Sequence, residues 1–406
     1  MHNFRSLTLS EWRQFRSIDI DLSKHITILT GQNGCGKTTI LNVLGHHFGW
    51  NVHFVSTPYL AKRQAKTLWS DIFGFNSRSF NEDDTQTREV GTIIYDNNAI
   101  CRLMVNPQVS AQYKPAYAGA QEVIGLHVPS HRPASTYHNV EEIPTNPATA
   151  LQFYQNYQNL LNQLYASGNS KNPGRIQKQS LISLAAFGEG NNHMQSNPEF
   201  IKIFEGFQNV LRHILPPEIG FQSLQIRMPE VVLVTSSGDF ALEAMSGGIN
   251  SLFGMAWQIY MFGFDKDKCT VTIDEPENHL HPSMQRSFLP SLAKAFPNYR
   301  FIIASHSPFV VTSFPEANVY GLLHNEENRI VSRLLETSDL SGTPNKILRD
   351  VLDVRSNLPV WVEEKLSMIL NSNQNLSDKE KASLIMNELK KMGIADSLPE
   401  IKASNA

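Results

Sequence analysis

A chain of 406 residues with 41% apolar residues carries enough sequence for two or three domains and a sizeable core. Its formal charge of −3 is too small for a protein that coats nucleic acid, and local basic spots (Arg13 with Arg16; Lys62, Arg63 and Lys66) read as solvated surface. Three scattered cysteines, Cys35, Cys101 and Cys269, exclude a disulfide framework and a zinc site; no run reaches membrane-spanning length and the N-terminus lacks a signal-peptide core, so the expectation is a soluble cytoplasmic protein with no membrane partner.

Residues 4–9 and 16–21 alternate apolar and polar positions on either side of Glu11-Trp12-Arg13-Gln14, which predicts a hairpin. It feeds an apolar run from His25 to Thr30, read as a buried strand, and then Gly31-Gln32-Asn33-Gly34-Cys35-Gly36-Lys37-Thr38. Thr39-Ile40-Leu41-Asn42-Val43-Leu44 follows with helical spacing, so strand, glycine loop and helix stand in P-loop order. Glycines at 31, 34 and 36 let backbone N–H groups point inward, and the helix N-terminus adds a positive dipole end. Asn33, Gly34, Cys35, Gly36, Lys37, Thr38 and Thr39 are therefore the expected nucleotide-binding set. Lys37 reaches the β- and γ-phosphates and the Thr38 hydroxyl ligates Mg2+. A glycine turn that merely caps a helix explains the glycines but not the full pattern with both flanks.

Ser77 to Thr87 is polar and acidic, a loop. Val90–Tyr95 and Ala99–Val105 flank Asp96-Asn97-Asn98 as strand, turn and strand, and 53–127 reads as a small antiparallel β-subdomain. A strand over 123–128 ends at Pro129-Ser130-His131-Arg132-Pro133. Pro144 and Pro147 lead into helical spacing over 148–165, a loop at 167–174, and a second helix over 198–215 with Phe200, Ile203, Phe204, Phe207, Val210 and Leu211 on one side. No heptads are sustained, which excludes a long coiled coil.

Strands are expected over 221–228 and 231–235, with a turn at 236–239 before Phe240-Ala241-Leu242. Met245-Ser246-Gly247-Gly248 opens an apolar helix over 249–262, an anion-binding N-terminus on its own terms. Val271-Thr272-Ile273-Asp274-Glu275 reads as a Walker B strand: Asp274 orients Mg2+, and Glu275 polarises the attacking water. His279 and His281 suggest a metal pair, but no third ligand is apparent and a helix over 282–296 begins at once. A strand over 301–304 ends at Ser305-His306-Ser307-Pro308, and strands at 317–323 and 329–335 close the core. Two amphipathic helices, 359–370 and 379–392, follow; the second has a capping box, Ser377 with Glu380, and Gly393 as its stop. The expected domains are 1–148, 149–216, 217–337 and 338–406.

The Ser246-Gly247-Gly248 turn, placed before the Asp274 strand, resembles the Leu-Ser-Gly-Gly-Gln signature of ABC-type ATPases, with Met245 before it and Ile249 after it. In that family the signature of one subunit contacts the γ-phosphate held by another, so two heads close over two nucleotides. The resemblance makes His306 the switch histidine that hydrogen-bonds the γ-phosphate. No glutamine stands where the family's Q-loop needs one; Ser130, His131 and Arg132 stand there, and Arg132 becomes the candidate γ-phosphate sensor or partner-head contact.

Asp-Glu-Pro-Glu-Asn-His-Leu-His-Pro at 274–282, Ser305–Pro308 and Trp12-Arg13-Gln14-Phe15-Arg16 look like the SMC/RecF-like, AAA-labelled ABC ATPases that include OLD proteins, the Septu PtuA ATPase and the PARIS AriA ATPase. The likeness spans most of residues 1–335 and continues in Gly342-Thr343-Pro344-Asn345-Lys346-Ile347-Leu348-Arg349 with Asp350-Val351. It implies an α/β P-loop NTPase of ABC-ATPase type, with a mixed central sheet and flanking helices, an antiparallel β-subdomain, a helical lobe and a small C-terminal helical segment. Many relatives serve in anti-phage defence beside a nuclease or another effector. The tail is too short and too helical for the TOPRIM domain of OLD nucleases, and the helical block is too compact for an SMC coiled coil. Three functions remain open: an ATP- and Mg2+-dependent defence switch that self-associates and controls a separate effector such as a nuclease; a RecF-type repair ATPase that clamps DNA directly; and a nucleotide-gated scaffold with little hydrolysis.

Overall fold

The computed structural model describes residues 2–60, 67–72, 87–107, 109–133, 136–143, 148–167, 172–342, 344–350, 359–372 and 377–392. Lys62, Arg63, Lys66, residues 77–86 of the expected loop, Pro144, Pro147, Thr343, Val351 and Gly393 lie outside them. The chain opens with β1 (Phe4–Trp12), β2 (Phe15–Asp21), β3 (Ile26–Thr30) and α1 (Lys37–Gly45). Next come β4 (Phe54–Val55), β5 (Thr57–Leu60), β6 (Thr67–Ser70), β7 (Arg88–Tyr95), β8 (Ile100–Val105), β9 (Gln112–Tyr113), β10 (Ala116–Ala118) and β11 (Gly125–Val128). Helices α2 (Ala150–Ser167), α3 (Gly174–Gly188) and α4 (Pro198–Ile214) precede β12 (Phe221–Arg227), β13 (Glu230–Thr235) and β14 (Phe240–Ala241). Then follow α5 (Gly247–Gly263), β15 (Thr270–Asp274), α6 (Pro282–Ala295), β16 (Arg300–Ala304), α7 (Pro308–Val311), β17 (Asn318–His324), β18 (Ile330–Leu334), α8 (Thr337–Leu340), α9 (Pro344–Asp350), α10 (Val360–Ser372) and α11 (Asp378–Lys391).

The strands β3, β11 and β15 are buried at every position, the pattern of a parallel sheet covered on both faces. They belong to an 11-stranded sheet in the order β10-β8-β7-β1-β2-β18-β17-β3-β16-β15-β11. From β17 to β11 every neighbouring pair is parallel, with Ile28 opposite Ile303 and Thr272 opposite Ile302. The β1–β2 hairpin pairs on through β7, β8 and β10 in antiparallel register, Leu7 facing Ile93. Of the strands expected as a subdomain over 53–127, β7, β8 and β10 prolong the main sheet, whereas β4 with β9 and β5 with β6 form separate two-stranded antiparallel sheets. Period-2 alternation fixes which face a strand buries, but not which distant strand completes its edge.

Alternation splits the core in two. Ile26, Ile28, Phe301 and Ile303 pack with α2 to α6 on one face; Leu29, Ile302 and Ala304 pack with α1 and the β1, β7 and β8 strands on the other. Helix α3 lies in a stretch for which the sequence predicts no helix. Its buried positions include Gln177, Lys178, Gln179, Ser180 and Ser183 beside Leu181, Ile182 and Leu184, so it has no apolar stripe against a polar face. Among the described residues no helix is long and apolar enough to cross a membrane.

The chain divides into two compact units, Met1–Asp353 and Val354–Ala406. Helices α8 and α9 fall in the first, where Ile347 is buried in the core. The second holds α10 and α11. Both halves of the Ser377–Glu380 capping box form, and Lys365 reaches Glu388 at 2.8 Å.

Candidate nucleotide site

The parallel order β3-β16-β15 sets the carboxyl ends of these strands side by side, the edge where open α/β sheets take their ligands. The loop after β3, the Ser305-His306 segment after β16 and Asp274-Glu275 at the end of β15 meet there. Sequence separation hides this; parallel pairing creates it.

Gly31, Gly34 and Gly36 have φ of 142°, 83° and 96°, backbone that L side chains rarely adopt. A Cβ on Gly36 would also lie 2.5 Å from the side chains of Gln14 and Phe15, so the hairpin turn supports the loop from below. Helix α1 starts at Lys37 with no side-chain cap and no acidic residue in its first turn, which leaves its N-terminal dipole available to an anion. Asn33, Gly34 and Thr38 are exposed, Gly36 and Thr39 are half-buried, and Cys35 points inward, where burial raises its thiol pKa. The buried Lys37 ammonium donates to the carbonyl oxygens of Gly31 at 2.8 Å and Gln32 at 3.0 Å.

The Thr38 hydroxyl donates to Asp274 Oδ2 at 2.8 Å, which joins the two expected Mg2+ ligands directly. Asp274 is 2% exposed; burial lifts its pKa to about 6 against the opposing Thr38 hydrogen bond. Its Oδ1 is buried without a hydrogen-bond partner. A hard cation takes oxygen ligands, and a hydroxyl beside a carboxylate with one unpaired oxygen fits Mg2+ at this place.

Glu275 has φ 47°, left-handed for a non-glycine residue, while its N–H still donates to Ala304 O at 2.9 Å. Its side chain is held by Asn278 Nδ2 at 3.1 Å and faces His306 Nδ1 at 3.7 Å. A closer acid was not read as functional in the sequence. Glu277, 6% exposed, lies 3.4 Å from His306 Nδ1 and accepts from Ser305 Oγ and the His306 N–H, both at 2.9 Å. The available signal was a second acid two residues past Glu275 in Asp-Glu-Pro-Glu; only the fold shows that it faces His306. His281 serves as the N-cap of α6, its ring accepting from Ser283 N–H, and His279 is exposed.

Arg132, expected at a γ-phosphate or a partner head, lies against backbone carbonyls. Its guanidinium donates to the carbonyl oxygens of Pro129 (3.2 Å), Asp274 (3.4 Å), Glu275 (3.0 Å) and Asn278 (3.4 Å). It braces the strand end that carries the acids. The planar fork matches several carbonyls at once, a geometry invisible in sequence.

Ser246 is the N-cap of α5, exposed and without a side-chain cap bond. A Cβ on Gly248 would lie 2.9 Å from His279 O and 3.3 Å from Met284 Sδ, so the turn packs closely on the segment that follows Glu275. The structure thus gathers Lys37, Thr38, Asp274, Glu275 and His306, and seats Ser246–Gly248 against His279.

The chain is similar to several known proteins. A family described as AAA domain matches residues 6–214, and one described as AAA ATPase domain matches 139–311. The "Retron Ec83 probable ATPase" of Escherichia coli is 30% identical over 111 residues, 27% of this chain and 19% of that one. "Septu protein PtuA" of Bacillus thuringiensis is 26% identical over 165 residues, 37% of this chain and 42% of the relative. The matches thus span less than half the length of either relative. An Smc head domain bound to the C-terminal domain of ScpA, derived from Pyrococcus furiosus, is 13% identical with a TM-score of 0.45, covering 86% of this chain and all of that one. By the match over residues 6–214, the chain belongs to the AAA domain family.

Proposed function

We propose that this chain hydrolyses ATP and uses the cycle as a switch in anti-phage defence, controlling a separately encoded effector, a nuclease being the class the resemblance suggests. The observation that carries the ATPase reading is the 2.8 Å contact between Thr38 and Asp274, with Asp274 Oδ1 left unpaired. It joins the P-loop hydroxyl to the strand-end acid where a phosphate-bound cation would sit. The relatives named as Septu and retron proteins support the defence assignment.

In this reading the P-loop amides and the α1 N-terminus bind the phosphates, and Lys37 leaves its carbonyl partners for the β- and γ-phosphate oxygens. Thr38 and Asp274 hold Mg2+, which when bound neutralises charge on the transferring phosphoryl group. Glu275 orients water for in-line attack and takes its proton as the bond from the γ-phosphorus to the bridging oxygen breaks and ADP leaves. His306, kept by Glu277, faces the γ-phosphate. The Ser246–Gly248 turn, exposed at Ser246 and Gly247 and without a side-chain cap, completes the site of a second copy, so two heads close over two nucleotides.

Turnover of purified protein tests this. Lys37→Ala abolishes nucleotide binding or hydrolysis, and Glu275→Gln retains ATP binding but loses hydrolysis. Normal turnover by Glu275→Gln removes that residue as the base.

A further inference from the structure

Lys178, on α3, has a side chain only 1% exposed although it ends in a charge. An ammonium group so far from water needs close partners. It has Glu230 Oε2 at 2.6 Å, Glu243 Oε1 at 2.8 Å and the carbonyl oxygen of His138 at 3.0 Å. These come from separate parts of the fold. Glu230 opens β13, and Glu243 lies in the 3-10 turn Leu242–Ala244 just before Ser246. His138 follows Arg132, whose guanidinium holds the carbonyls of Asp274, Glu275 and Asn278. One buried cation therefore ties the helical lobe both to the turn ahead of Ser246 and to the segment that braces the strand end.

The same two ends share a cavity. Arg132 and Glu243 line it together with Gln177, Ser251 and Gln258. Arg132 Nε, Glu243 Oε2, Ser251 Oγ and Gln258 Oε1 are buried without hydrogen-bond partners. A donor and several acceptors around one cavity suit bridging water, which adapts when its walls shift more readily than dry packing does.

We propose that Lys178 is a positioning residue that acts through Glu243, fixing the Ser246–Gly248 turn in the orientation that receives the nucleotide held by a second copy. This rests on the head-to-head closure described under Proposed function. Lys178 touches neither nucleotide nor reacting atoms; it sets where the turn points. Glu230 balances the charge from the β13 side and leaves the turn alone.

The test places Lys178→Met, Glu243→Gln and Glu230→Gln singly in the Glu275→Gln background. For each, the ATP concentration giving half-maximal assembly is read from solution mass, and ATP affinity is read below the assembly threshold with a fluorescent ATP analogue. Lys178→Met and Glu243→Gln are expected to raise the assembly midpoint roughly tenfold, the equivalent of about 1.4 kcal/mol. Glu230→Gln leaves it within about twofold, and analogue affinity stays within about twofold in all three. A merely structural role moves all three midpoints together or lowers only the folded fraction, which a thermal melt reports; either result overturns the proposal, as does an unmoved midpoint in Lys178→Met. If Glu275→Gln itself never assembles with ATP, head-to-head closure fails and this proposal falls with it.

Discussion

Thr38 donates its hydroxyl to Asp274 Oδ2 at 2.8 Å, so the two groups that would share a magnesium ion are in direct contact. Lys37 is likewise engaged, on the carbonyls of Gly31 and Gln32. Loading the site exchanges these internal bonds for bonds to phosphate and metal.

Asp274 carries the pH dependence. Its pKa rises from 3.8 to about 6, chiefly through burial. An acid with a raised folded pKa binds more protons folded than unfolded, so its contribution to stability is present below pH 3.8 and is lost as pH rises through about 6. The rise corresponds to about 3 kcal/mol. Asp274→Asn should therefore raise the melting temperature at pH 7 and lose that advantage below pH 4, while failing to hydrolyse ATP. A melting temperature for Asp274→Asn that matches wild type from pH 4 to 8 contradicts the raised pKa.

Glu277 should matter through His306. Glu277→Ala leaves the Ser305 hydroxyl and the His306 N–H without their acceptor and frees the imidazole from its nearer carboxylate. A fall in kcat of about 10²-fold with ATP affinity within about twofold is expected, the range for losing a placed catalytic group. Steady-state kinetics beside nucleotide titration checks it; weakened affinity with unchanged kcat would place Glu277 in binding instead.

Arg132 separates two readings by the same pair of measurements. As a brace for the carbonyls of Asp274, Glu275 and Asn278, its loss in Arg132→Met lowers kcat about tenfold or more and leaves ATP affinity near wild type. A γ-phosphate contact would instead weaken ATP binding and spare ADP binding.

Gly36→Ala tests the loop itself. The φ of 96° and the 2.5 Å approach to Gln14 and Phe15 leave no room for a methyl group. A loss of about 1–3 kcal/mol of stability, together with loss of nucleotide binding, is expected by thermal melt and titration. A variant that melts and binds as wild type does would mean that the loop relaxes freely.

The P-loop and the Asp274-Glu275 strand end were legible because each is local, a few residues at fixed spacing with a strand or helix beside them, whereas His306 was singled out only through the resemblance to ABC-type ATPases. The turn at Ser246 was legible through its place before the Asp274 strand and its likeness to the family signature. Helix α3 was not, because burial all around filled it with Gln177, Lys178 and Ser180 rather than an apolar stripe. The pairing of β1 with β7 was not, because pairing over a long separation leaves no trace in alternation. Glu277 and the carbonyl contacts of Arg132 were hidden for a third reason: they depend on where a side chain turns after the backbone is built, Glu277 toward His306 and Arg132 toward carbonyl oxygens.

The solution mass of Glu275→Gln with and without MgATP tests the switch most directly. A mass that steps from one copy to two only when MgATP is present is the result expected of heads that close over nucleotide. A mass that stays the same in both conditions, while titration shows ATP bound, would contradict the nucleotide-driven switch.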